Sequence, residues 1–256
     1  WFAVYTLVFG SLVALLFVLG LTESRVMGFT GLSRLMLTYI QLSMAILPIF
    51  VLITTVRSLA GDREAGVFEY LLALPIPLGA WYWGKLVGRF LMVFTPVFLA
   101  MLGALLWGSL QGADIPWNLF SYYTGLLIAL SWCFLGIGIL ISSIARSVDV
   151  AQGAAFIIWL VLLLFLDLIL LGVMIQQQVP AETAVAIALA NPMQVFRTGT
   201  MMLFDPQLVM LGPAAYVILD NFGTTGYMVF ALLYPTLLGT LTAWLGYVLF
   251  RRGDLI

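Results

Sequence analysis

Residues Gly79 to Lys85 read Gly-Ala-Trp-Tyr-Trp-Gly-Lys, one position short of a phosphate-binding loop of the form G-x₄-G-K-[ST]. The missing position is Leu86, where a hydroxyl should meet magnesium. No strand precedes the motif, and Trp81, Tyr82 and Trp83 stiffen what should be a flexible loop. Aromatic rings beside a lysine mark a helix entering a membrane interface instead. Other chemistry is scarce. The chain has no histidine, which removes the usual general base, the commonest zinc ligand and the near-neutral pH switch together. Its one cysteine, Cys133, lies in an apolar run and excludes an internal disulfide. Asp167 is the one ionisable residue well inside an apolar run. A charge there costs about 2.5–3.5 kcal/mol, so it should face protein or water. That suits a transport pathway, and equally a protonated carboxyl at a helix seam.

The elements around these residues are membrane helices. Of 256 residues, 64% are hydrophobic and 8% charged, against about 25% charged in a soluble domain. Runs near the roughly 20 apolar residues needed to cross a bilayer occur at Trp1–Thr22, Leu35–Val56, Phe90–Leu110, Leu119–Ala145, Val150–Ile175 and Asn221–Phe250 (the last crossing at about 224–250). Trp1–Thr22 lacks a basic leader region and reads as a span. The expected fold is therefore an all-α membrane protein of six transmembrane helices, one domain over 1–256. Thr183–Leu219 is apolar but broken by Pro192, Arg197, Asp205, Pro206 and Pro213, and predicts short interfacial or re-entrant helices. Gly84 with Gly88, and Gly239 with Ala243, have the small-residue spacing that lets helices approach closely.

With the loop after the second span inside, one face collects Arg57, Arg63, Lys85, Arg89, Arg146, Arg251 and Arg252, and the other Arg25, Arg34 and Arg197. The excess predicts both termini in the cytoplasm. Ten basic residues spread over the chain offer no nucleic-acid face.

Between the second and third spans lies the densest charge, with Asp62, Glu64 and Glu69 against Arg63. Val67, Tyr70, Leu71 and Leu74 fall at i, i+3, i+4 and i+7, which predicts an amphipathic helix along the membrane surface. Pro75 and Pro77 should end it. Its bland reading is a solvated surface helix; its functional reading is a docking helix for a cytoplasmic protein.

The run Asp62-Arg63-Glu64-x-Gly66-x-x-Glu69-x-Leu71-Leu72-x-x-Pro75, followed by Gly84-Lys85, resembles the E-R-E-x-G-T-x-E-x-L-L-x-x-P…G-K signature of ABC-2 type transporter permeases. Asp62 stands for the usual Glu and Val67 for the usual Thr. Ser142-Ser143-Ile-Ala-Arg146-Ser147 resembles the family's second cytoplasmic turn. Asp167, and Asn191-Pro192-x-x-Val195-Phe196-Arg197, are similar to the NosY-type branch that serves nitrous oxide reductase maturation.

The resemblance implies a permease subunit that is not itself an enzyme. It implies a homodimer in a prokaryotic inner membrane, working with two cytoplasmic ATPase subunits that carry ATP and Mg, and no cofactor or metal on this chain. Asp62, Arg63, Glu64, Gly66, Phe68, Glu69, Leu71, Leu72, Pro75 and Arg146 would couple to the ATPase, with Phe68, Leu71 and Leu72 burying against the partner or the membrane. Asp167 would line the pathway. Asn191, Pro192, Phe196 and Arg197 would form a periplasmic mouth that leaves room for a periplasmic partner. The NosY-type branch points to a sulfur species for metal-centre assembly as cargo, while other members export lipids, polysaccharides, drugs or ions.

Met193, Met201, Met202 and Met210 could hold Cu(I) or merely fill apolar gaps. An intramembrane protease lacks its histidine or a second carboxylate. A stand-alone channel or secondary transporter should show more intramembrane polar groups and matched broken helices in two halves.

Overall fold

The computed structural model describes residues 30–110, 117–165, 181–208, 211 and 213–252. The expected first span at 1–22, the far end of the fifth with Asp167, and Met210 lie outside the described residues.

Among the described residues every regular element is helical: α1 Thr30–Glu64, α2 Val67–Leu72, α3 Leu78–Leu110, α4 Trp117–Ile144, α5 Val148–Leu160, α6 Ala181–Leu189, α7 Pro192–Phe204 and α8 Pro213–Arg252. Four contain segments long and apolar enough to cross a membrane, at Ser43–Glu64, Leu78–Gly103, Trp117–Ile144 and Ala215–Arg252. A shorter apolar helix covers Val148–Leu164 and ends in a π-turn, Val161–Phe165. Leu233, Leu237, Leu241, Leu245 and Leu249 lie exposed along α8 at four-residue spacing. Water does not tolerate such a stripe, and lipid does.

Two helices outrun the apolar runs that announced them. α1 continues eight residues beyond Val56, and α3 starts twelve before Phe90. The runs end at Arg57 and Arg89, and both helices carry on past them through Asp62 and Lys85, which neutralise each other. A charge ends an apolar run without ending the helix.

The core centres on α4, which packs most broadly on α8 and next on α1. At the α4–α8 crossing the backbones touch. A Cβ on Gly136 would lie 2.0 Å from the Gly239 carbonyl oxygen, and one on Gly239 would lie 2.6 Å from that of Trp132. Ala243 is buried on the same helix, and Tyr82 donates to its carbonyl at 2.7 Å. Gly84 and Gly88 have nothing comparable within 4 Å of their Cβ positions. That pair serves no packing among the described residues.

The broken stretch forms α6, α7 and the first turns of α8, which kinks at Gly223 (φ +64°). With 9 and 13 residues, α6 and α7 span about 14 and 20 Å, short of the roughly 30 Å hydrocarbon core. α7 packs at the start of α4: Phe196 meets Tyr123 at 6.1 Å between ring centroids, and Gly199 abuts Leu126 and Ala231, while α6 packs on α7 and α8. The end of α1, the start of α3, the α4–α5 turn and the end of α8 meet at the opposite end. Arg57, Arg63, Lys85, Arg89, Arg146, Arg251 and Arg252 are therefore gathered at that end of the bundle.

Candidate functional site

The end of α1 carries three successive charged residues, and each is tied to a different element. Asp62 forms an ion pair with Lys85 of α3, and Lys85 also donates to the Ser58 carbonyl at 2.8 Å. Both partners are mostly shielded (24% and 20% exposed), so the pair lies beyond the regime in which surface ion pairs contribute almost nothing. Trp81 places its ring 4.7 Å from the same ammonium.

Arg63 turns the other way. Its guanidinium donates to the Ala145 carbonyl at 2.6 Å and to that of Ser143 at 3.4 Å, carbonyls at the C-terminal end of α4. Glu64 accepts from the Val148 amide at 2.8 Å, the first amide of α5, while Ser147 caps the same helix through Val150. The order Arg then Glu has an electrostatic cause. The C-terminus of a helix carries partial negative charge and wants a cation, and the N-terminus wants an anion. Four amides and four carbonyls at such termini lack intrahelical partners, and these two side chains satisfy some of each.

One turn earlier, Ser142 enters the ladder of α1. Its hydroxyl accepts from the amides of Leu59 (2.9 Å) and Ala60 (3.0 Å) and donates to the Val56 carbonyl (2.6 Å). A regular helix would pair Ala60 with Val56 directly. The Ser142 hydroxyl touches both ends of that bond and fastens α4 to α1.

Beyond Glu64 the chain reverses at Gly66, whose φ of +66° is a left-handed helix terminus. The helix α2 that follows differs from the stripe of the sequence reading. It ends at Leu72, so Leu74 falls past its end, and Tyr70 is 76% exposed. The chain stops being helical three residues before Pro75, as expected where proline disfavours helix in the residue before it. The buried residue is Phe68, 2% exposed, seated 5.6 Å from Trp81 and 5.4 Å from Phe250. Phe68 is thus buried inside the chain rather than against a partner or lipid. An aromatic pocket of α3 and α8 captures it, which periodicity along α2 alone does not encode. Trp81 and Tyr82, the residues that spoil the phosphate loop, build that pocket with Phe250.

Glu69, Tyr70, Leu74, Pro75 and Arg146 are left exposed. Leu71 and Leu72 are positions of α2. Sequence reading put Asp62, Arg63 and Glu64 in one coupling set with Glu69, Pro75 and Arg146, and it gave Ser142 no role of its own. A hydroxyl that bridges two helices leaves no trace in a pattern of charge or hydropathy.

At the other end, Asn191 is fully buried and works in two directions. Its side-chain oxygen accepts from the Met193 amide at 3.0 Å, capping α7, and its amide donates to the Leu162 carbonyl at 2.7 Å, inside the π-turn of α5. Pro192 follows at the first helical position, where its missing amide costs nothing. Phe196 is buried and Arg197 half-buried. Met193, Met201 and Met202 are buried in the core, as packing residues are. Among the described residues, no group of three or more His, Cys, Asp or Glu is placed to hold a metal ion.

A charged junction between the ends of four helices, with a short exposed helix slung beneath it, fits a chain built to receive a partner. The sequence pattern of the ABC-2 family transporter proteins matches residues 1–255. The chain belongs to the ABC-2 family. It is also similar to the probable ABC transporter permease protein NosY of Stutzerimonas stutzeri, with 25% identity over 204 residues, covering 77% of this chain and 74% of that one. Like other ABC-2 permeases it is a membrane subunit, and ATP hydrolysis belongs to a partner chain.

Proposed function

We propose that this ABC-2 permease converts ATP-driven movements of two ATPase subunits into rearrangement of its spans, and that α2 is the helix those subunits grip. The observation that carries the reading is the junction of Asp62, Arg63 and Glu64. A push on α2 is delivered along the chain to α1 and from it to α3 and the α4–α5 turn, because the last residues of α1 are bonded to both. A merely solvated loop would need no such bracing. Phe68 extends the brace to α8 through Phe250.

Glu69 and Tyr70 are the contact residues we assign to the ATPase, flanked by Leu74, Pro75 and Arg146. The basic end of the bundle is then cytoplasmic in a prokaryotic inner membrane, with both termini there. The permease works as a homodimer and exports. The NosY-type resemblance around Asn191 and Pro192 favours a sulfur species for an external metal centre over lipid, drug or ion, with α6 and α7 offered to an external partner and Asp167 on the pathway.

Co-purification of the permease with its ATPase tests the coupling. E69K/Y70A should abolish recovery of the ATPase while the permease itself remains folded. Undiminished recovery would remove α2 as the grip, and a wild-type permease that captures no ATPase would favour a stand-alone channel.

A further inference from the structure

Between α1 and α3 lies a groove of about 720 Å³ that the coupling mechanism does not use. Ile46, Ile49, Phe50 and Ile53 line one wall, and Met92 and Val93 the other. The α1 residues recur at three- and four-residue steps, so one face of that helix looks into the groove. α1 and α3 touch little elsewhere.

At the end nearest α2 the lining changes character. Arg57 and Arg89 close the groove there, with Thr54 and, from α5, Gln152 beside them. Among the described residues neither guanidinium has a hydrogen bond or an ion pair. The acidic group nearest in effect, Asp62, acts on Arg89 only at a distance and is already paired with Lys85. Eleven residues separate Ile46 from Arg57. At 1.5 Å per residue the apolar slot is about 16 Å long, half the roughly 30 Å hydrocarbon thickness. It has the depth of one leaflet, with two cations at headgroup level that pair with no described residue.

We propose that this groove holds an anionic phospholipid of the surrounding bilayer, its acyl chain along α1 and its phosphate between Arg57 and Arg89. The charge complementarity selects the occupant. An uncharged apolar helix would leave both guanidiniums unpaired in a half-dry site, which is costly, whereas a phosphate accepts paired donors from each arginine. Gln152 can donate to a remaining headgroup oxygen, whereas the Thr54 hydroxyl is committed to the Phe50 carbonyl at 2.8 Å. The proposal rests on the chain being in a membrane and is independent of the ATPase reading.

Native mass spectrometry of the full chain in detergent provides the test, with phosphatidylglycerol, phosphatidylcholine of the same acyl chains, and inorganic phosphate as probes. Wild type should retain phosphatidylglycerol about tenfold over phosphatidylcholine, in keeping with two basic contacts. R57Q/R89Q should fall to the phosphatidylcholine level, and R57K/R89K should keep most of the preference. I53W, at a partly exposed wall position, should expel the lipid by filling the slot while leaving both arginines, and so covers the case in which R57Q/R89Q fails to fold. Equal retention of the two lipids, or unchanged phosphatidylglycerol in the variants, would overturn the proposal. Displacement of the lipid by inorganic phosphate would make this a free-anion site and overturn it too. A disulfide between two copies of I53C, formed without loss of lipid, would show a subunit seam and have the same effect.

Discussion

Arg63 and Glu64 are neighbours with opposite tasks, and their order is dictated by the helices they meet. The cation caps the end of α4 and the anion caps the start of α5. Exchanging them as R63E/E64R keeps composition and net charge but sets each charge against a pole of its own sign. The exchange should destabilise the permease by about 2 kcal/mol, at two caps each worth roughly 1 kcal/mol. R63K and E64Q should each lose less, since both keep a donor or acceptor. Thermal unfolding in detergent ranks the three, and an exchange as stable as wild type would deny the polar origin of the order. Gly66 has a narrower duty. Its Cβ position is open, so what it supplies is a positive φ rather than space.

α2 has six residues, too few to be a helix by its own propensity. Its geometry is imposed from both ends: Gly66 reverses the chain, Phe68 plugs the aromatic pocket, and Pro75 follows shortly. F68A should therefore cost about 3–5 kcal/mol, the range for emptying a buried aromatic site, and should lose the ATPase only as a by-product of a loosened fold. Y70A should leave unfolding unchanged and weaken ATPase recovery directly. Parallel measurement of melting and co-purification separates the two, and a Y70A protein that melts early would count against an outward role. Much of this region was legible from the sequence. The charge cluster and the stop near Pro75 both follow from local chemistry. Phe68 was not legible as an anchor, because its partners Trp81 and Phe250 lie 13 and 182 residues away. The overrun of α1 and α3 was hidden for a simpler reason: Arg57 and Arg89 end the apolar runs but lie inside continuous helices.

For the whole bundle, hydropathy conveyed the class, since lipid demands apolar surfaces on nearly every helix. It could not convey which helix is central. That depends on Gly136 and Gly239 meeting backbone to backbone, a fact of pairing rather than of either residue's surroundings in sequence. Orientation is testable at this scale. A cysteine placed at exposed Arg252 in a C133S background should react with a membrane-impermeant maleimide only after cells are opened. One at Glu182, in α6, should react in intact cells. The reverse pattern would invert the bundle and remove α2 from the reach of any cytoplasmic ATPase.

The Ser142 relay bears on how such a chain is made. Val56 and Ala60 leave the ribosome some eighty residues before Ser142 does, and the relay spans 82 to 86 residues of sequence. During that interval the bilayer offers Val56 and Ala60 no polar partner but each other. α1 therefore enters the membrane with its ladder closed, competent to insert by itself. Only when α4 arrives can the Ser142 hydroxyl bond to both. The joint between the two helices is thus a late assembly step, made onto a finished helix, and its completion reports that the fourth helix has seated in register.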